Sequence, residues 1–157
     1  FKPRTVLELG TSLGISSMYL ASVNSETKLT TVEGCPNVSK VAKVNFDKIG
    51  FKNIELVNAQ FDVFLPEYLK KTAQLDFVFF DGNHTKEATL NYFNLCLPKI
   101  NNNTIFVFDD IYWSKGMNEA WEEIKKHPKI TLTVDLFALG IVFFNTDLSK
   151  EDFVLRY

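Results

Sequence analysis

Acidic and glycine residues gather at a few points in this sequence, each just past a short apolar run. Glu8 opens the stretch Glu8-Leu9-Gly10-Thr11-Ser12-Leu13-Gly14-Ile15-Ser16. Gly10 and Gly14 let a backbone turn tightly and approach a ligand. Glu33 closes the next apolar run, and a carboxylate there can accept both hydroxyls of a ribose. Asp81 follows Phe80, His84 stands three residues further on, and Asp109 and Asp110 follow Phe108. A neutral imidazole is a usable base near neutrality, because its ordinary pKa is about 6.5. A carboxylate facing the same cavity would raise that value. Each feature also has a plainer reading: a glycine turn with no ligand, an acid capping the helix that starts near Pro36, a structural histidine. Taken together, the residue types suit a nucleoside-containing ligand with a proton acceptor beside it.

The elements that must hold these residues follow from the hydrophobic periodicity. Thr5–Leu9, Leu29–Val32, Ile54–Val57, Leu75–Phe80 and Thr104–Phe108 read as buried strands. Helical patterns alternate with them. The first covers Ile15–Val23, and the second runs from Pro36, suited to a first turn, to a stop at Gly50. The third covers Phe61–Leu69 with an interruption near Pro66, and the fourth is set by Ala88, Tyr92 and Leu95 and ended by Pro98. The fifth carries Met117, Ala120, Trp121 and Ile124 on one face. Lys125, Lys126 and His127 then fall in its last turn, where positive charge suits the helix dipole. Ile130–Leu136 and Leu139–Phe144 leave no room for a helix between them, so they form a hairpin with one antiparallel strand. The pattern predicts an α/β, Rossmann-like, doubly wound sheet of seven strands, mostly parallel, with the antiparallel strand in the C-terminal hairpin. Ligands of such sheets bind beyond the carboxyl ends of the strands. The acids sit at those ends.

Composition bounds the function. A chain of 157 residues suits one domain, here spanning residues 1–157. A net charge of -2 offers no nucleic-acid or membrane-surface field. No apolar stretch approaches the roughly 18 residues of a membrane span. Two cysteines, Cys35 and Cys96, read as reduced thiols, and with no visible targeting signal the expected location is cytoplasmic. Many of the 15 phenylalanines fall in the predicted strands and are expected in the core. The chain starts without Met and runs straight into a strand pattern, so further residues are expected upstream.

Val6 to Ala21, VLELGTSLGISSMYLA, resembles motif I of class I S-adenosylmethionine-dependent methyltransferases, in the E-L-G-x-x-x-G-x-S form of the catechol O-methyltransferase-like branch. Thr31-Val32-Glu33 resembles the second motif of that family, Asp76 to Asp81 (DFVFFD) its fourth, and Ile105 to Ile111 (IFVFDDI) the following strand with its acidic end. Gly140-Ile141-Val142-Phe143-Phe144 is similar to its terminal hairpin. The resemblance implies S-adenosylmethionine as cofactor and a small-molecule acceptor, most naturally a hydroxyl. It implies a cofactor site of Glu8, Gly10, Thr11, Ser12, Gly14, Ser16, Glu33, Ala59, Gln60, Phe61 and Asp81. Phe61 would either stack on the adenine or pack in the core. Asp81 and His84 would act in catalysis, His84 standing where the branch carries Lys. Asp81, Asp109 and Asp110 correspond to the branch's Mg²⁺ ligands, although Asp110 replaces an Asn. Helices before the first strand are expected to be missing, and the reading leaves room for a homodimer. Two alternatives stay open: a nucleoside-binding domain without turnover, and a nicotinamide-dependent oxidoreductase. The glycine spacing and the hairpin argue against the second.

Overall fold

The computed structural model describes residues 2–156. Five strands lead into helices as the periodicity predicts. β1 (Thr5–Leu9), β2 (Lys28–Glu33), β3 (Ile54–Asn58), β4 (Phe77–Phe80) and β5 (Ile105–Phe108) alternate with α1 (Ile15–Ser22), α2 (Pro36–Ile49), α3 (Phe61–Lys71), α4 (Lys86–Cys96) and α5 (Lys115–Lys125). β6 (Leu132–Asp135) and β7 (Gly140–Phe143) form the hairpin, and β8 (Glu151–Val154) follows. The strands form one sheet in the order β3-β2-β1-β4-β5-β7-β6-β8. β7 runs antiparallel to both neighbours, and the other pairings are parallel.

The sheet has eight strands among the described residues, where the sequence predicts seven. The extra one, β8, lies parallel to β6 with Glu151 opposite Leu132 and Val154 opposite Asp135. All four of its residues are exposed, so it carries no alternating hydrophobic signal. A second difference concerns Pro66. α3 runs through it without interruption. The backbone acceptor that loses its partner belongs to Asp62, an exposed first-turn residue, so water can satisfy it.

Alternation along the strands divides the core. Leu7, Leu9, Val78, Phe80, Phe106 and Phe108 face α3, α4 and α5 and pack with Leu65, Tyr92, Phe93 and Trp121. Val6 and Leu29 face the other way, against Ala21 of α1. The Phe80 and Phe108 rings stack at 4.5 Å across β4 and β5. His127 does not supply the expected charge at the end of α5. Burial and the charges of Lys129 and Lys150 hold its pKa below the ordinary value. Lys150 takes that place instead, donating to the Lys125 carbonyl at 2.6 Å and the Ile130 carbonyl at 3.0 Å. Among the described residues, no helix is long and apolar enough to cross a membrane.

Candidate active site

The carboxyl ends of β1, β2, β4 and β5 lie side by side because their registers align: Leu9 pairs with Val32 and Phe80, and Phe80 with Phe108. That brings Gly10, Glu33, Asp81 and Asp109 to one edge. A cleft of about 430 Å³ opens there, within the usual range for a ligand pocket. Gly10, Ser12, Glu33, Gly34, Gln60 and Phe61 line one part of it, and Asp62, Asp81, Gly82, Asn83 and Tyr92 the rest.

The first loop is shaped by contacts within the protein. Gly10 has φ +116, and a Cβ there would lie 1.8 Å from the Asp81 carbonyl oxygen. Its small size therefore lets the β1 and β4 ends approach each other. Gly14 has φ +83 and lies beneath the Phe46 ring, away from the cleft. Ser12 is also left-handed, at φ +48, and its amide donates to Glu33 Oε2 at 3.0 Å. The Cys35 amide donates to the other oxygen at 2.8 Å. Glu33 thus ties two loops together at the cleft, but it does not cap α2: it accepts from Cys35, the residue before the helix, and from no first-turn amide.

Glu8 is fully buried between β1, α1 and β2. Its Oε2 accepts from the Ser17 and Thr31 hydroxyls, the latter at 2.6 Å, while Oε1 has no partner. Burial pushes its pKa up, against hydrogen bonds from Ser16, Ser17 and Thr31. Thr11 is buried and shares a hydroxyl hydrogen bond of 2.6 Å with Thr31, so it supports the loop from below. Ser17 and Thr31 were missed by the sequence reading. They are buried on two different elements, Ser17 on α1 and Thr31 on β2, and small hydroxyls carry no hydrophobic signal.

Phe61 does two things at once. It lines the cleft, lies over Gly82, and meets the Tyr92 ring edge-on at 5.8 Å. Gln60, the residue before α3, lies against Gly34. The Ala59 amide donates to the Glu33 carbonyl at 3.1 Å, and Ala59 packs on the core without lining the cleft.

The acids after β4 and β5 form the electrostatic centre. Burial, the Asp109 charge and a hydrogen bond with Asp109 push Asp81 far above the usual aspartate range, with further contributions from Glu8 and Asp110. His84 Nε2 lies 3.8 Å from Asp81 Oδ1 and 3.7 Å from Asp110 Oδ2. Among the described residues, no three His, Cys, Asp or Glu side chains converge at metal-ligand spacing. Beyond Asp110, Trp113 is 73% exposed.

A strand order that reverses at β1, with a glycine loop and an acid at the end of β2 at that switch point, defines a Rossmann-like fold. Residues 7–111 match the family model described as a methyltransferase domain, and the chain belongs to that family. The fold is shared with the O-methyltransferase TomG of Streptomyces achromogenes, involved in tomaymycin synthesis and solved with SAM. The TM-score is 0.79 at 20% identity, covering 91% of this chain and 74% of that one. It is shared equally with an O-methyltransferase of Bacillus cereus solved with SAH, at a TM-score of 0.75 and 20% identity, covering 90% and 74%. At these identities the likeness is one of fold. The chain is also 35% identical over 49 residues to the release factor glutamine methyltransferase of Buchnera aphidicola subsp. Acyrthosiphon pisum (strain APS). That segment is 31% of this chain and only 18% of the relative.

Proposed function

We propose that the chain moves the methyl group of S-adenosylmethionine to a hydroxyl of a small-molecule acceptor. The observation that carries this reading is the cleft itself, with Glu33 and Asp81 on either side of Gly10 and a buried Glu8 oxygen lacking a partner nearby. Solved relatives of this fold bind SAM or SAH. When bound, the cofactor supplies an electrophilic methyl carbon on a sulfonium. Glu33 would accept the ribose hydroxyls with the lone pairs its two amide bonds leave free. Phe61, steadied by Tyr92, gives an apolar wall for the adenine, with Gln60 at its rim. Asp81 and Glu8 would lie near the methionine ammonium, whose positive charge would favour the ionised carboxyls against the burial that raises both pKa values.

His84 takes the proton of the acceptor hydroxyl. The oxygen lone pair forms the new O–C bond, and the C–S bond breaks with its electrons remaining on sulfur. The chain's contribution is alignment and proton removal. The resemblance also implies Mg²⁺ at Asp81, Asp109 and Asp110. The donors are of the right kind, but they do not converge at ligand spacing, and Asp110 faces His84. This arrangement does not fit the ion, and no step is routed through one.

Calorimetry with S-adenosylmethionine and S-adenosylhomocysteine tests the reading. Saturable binding of both is expected, followed by S-adenosylhomocysteine release with a panel of hydroxyl acceptors. Absence of binding to either at millimolar concentration would sink it.

A further inference from the structure

We propose that two copies of this chain pair through β8, the open edge strand, in antiparallel register about a two-fold axis at Val154, so that one sheet runs through both. β8 is the last strand in the order and lies beyond the hairpin from the cleft. The pairing therefore stands independently of the proposed function.

Among the described residues, β8 has a strand neighbour on one side only, β6. The Glu151 amide donates to the Thr131 carbonyl at 3.0 Å, and the Leu155 amide to the Asp135 carbonyl at 2.9 Å. Backbone groups alternate in direction along a strand. Glu151, Phe153 and Leu155 therefore turn theirs toward β6. Asp152 and Val154, and Arg156 in continuation, turn theirs to the open edge. All four strand residues are exposed, so both faces of the edge are clear for a partner. Phe153, Val154 and Leu155 are 44%, 58% and 52% exposed, an apolar run on a strand with no second neighbour.

Charge selects the occupant and the register. Edge strands are ordinarily blunted by charge, but here the charges have opposite signs at symmetric positions. Residues opposite each other in an antiparallel pair both turn their backbone groups toward the partner, or both away. Two copies of one strand can therefore pair only about an axis through a residue. An axis at Val154 sets Val154 opposite the partner's Val154, Asp152 opposite the partner's Arg156, and Phe153 opposite the partner's Leu155. Acid meets base twice by symmetry, and apolar residues meet each other. An axis at Phe153 would instead set Lys150 opposite the partner's Arg156, and like charges directly opposite disfavour it. The charged side chains have capacity to spare. Asp152 uses Oδ1 for the Thr133 hydroxyl at 2.5 Å, which leaves Oδ2. Arg156 reaches Asp135 through Nη1 at 3.0 Å, and its remaining N–H groups can serve a second carboxylate. One strand pair covers less than the ~800 Å² per partner of a standard interface, so the dimer is expected to be reversible.

Sedimentation of the 157-residue chain from micromolar to millimolar concentration reads the assembly. Passage from monomer to dimer and no further is expected, because a two-fold pairing uses up the edge. Monomer throughout overturns the proposal, and so does growth beyond two copies. Val154→Pro removes an outward amide and leaves the bonds to β6 in place. It should abolish the dimer with an unchanged circular dichroism spectrum, and a surviving dimer would place the contact elsewhere and overturn the proposal. Cysteine pairs read the register, in a Cys35→Ser background because Cys35 is an exposed thiol. Aerobic oxidation should link Val154→Cys chains into dimers, since opposed Cα atoms about 5.5 Å apart suit a disulfide. Phe153→Cys should stay unlinked, and the reverse pattern would overturn the Val154 axis. If Val154→Pro does not fold, amide exchange of the wild type still decides. Protection at Asp152 and Val154 should rise with protein concentration, while Leu155 is protected throughout. Exchange at Asp152 and Val154 that ignores concentration counts against the pairing.

Discussion

Glu33 and Gly10 show how one residue can serve the frame and the ligand together. Glu33 was legible because an acid at the end of a second strand has few reasons to be there. Its amide partners Ser12 and Cys35 were not, since they arise only when two loops meet. Truncation in Glu33→Ala removes two amide acceptors as well as the proposed ribose contact. Cofactor affinity should fall about 10- to 100-fold, in line with the ~1.5–3 kcal/mol typical of hydrogen bonds to a charged group. Calorimetry reads the change, and an unaltered Kd would remove Glu33 from the site. Gly10 was legible as a glycine that must turn, but its reason is different. The sequence suggested room for a ligand, whereas the nearest obstacle to a Cβ is the Asp81 carbonyl, 71 residues away in the chain. Gly10→Ala combines that collision with an unfavourable φ, and should cost more than ~2 kcal/mol. The midpoint of urea unfolding measures it. A wild-type midpoint would mean the β1 and β4 ends can part without cost.

Among the elements, the five strand–helix units were readable because two-sided burial leaves continuous apolar runs. β8 was not, because parallel pairing at an exposed edge needs only backbone groups and a few side-chain ties. β8 is tied to β6 by the Thr133 hydroxyl on Asp152, and just past it the chain is held at Asp135, the buried last residue of β6. Asp135 accepts from the Tyr112 hydroxyl, the Phe137 amide and Arg156, and the Leu155 amide donates to its carbonyl. Burial alone would raise the Asp135 pKa, but those three donors outweigh it and hold the group below its ordinary value. The fold therefore favours the charged form. Its contribution is full above the unfolded value of about 3.9 and is lost as pH falls through the lower folded value. Arg156→Ala removes one of the donors, moves the folded value up, and should shift acid unfolding to higher pH. Circular dichroism across an acid titration checks this. A midpoint identical to wild type would show that Tyr112 and Phe137 suffice. The same cluster holds Tyr112 and Phe137, their rings 6.1 Å apart, on the loops after β5 and β6.

At the scale of the molecule, the site belongs to no single segment. It exists because four parallel strands end at one edge and the chain leaves β1 toward β2 on one side and β4 on the other. A ligand spanning Glu33 and Asp81 therefore bridges the two halves of the sheet. Ligand that binds only the folded state stabilises it by mass action, by about 2.7 kcal/mol at a hundredfold excess over Kd. For a chain of this size that corresponds to a rise in melting temperature of roughly 5–10 °C. S-adenosylhomocysteine should produce such a rise, together with slowed amide exchange at Ser12 and Cys35, whose N–H groups meet on Glu33. β8 lies at the far edge of the sheet, and its exchange should change only through the global term. NAD and NADH should give neither effect, because the Gly10–Gly14 spacing is not that of a dinucleotide loop and β7 breaks an all-parallel sheet. Comparable stabilisation by NAD would restore the oxidoreductase reading. Stabilisation by S-adenosylhomocysteine without protection at Ser12 and Cys35 would move its site away from the β1–β2 edge.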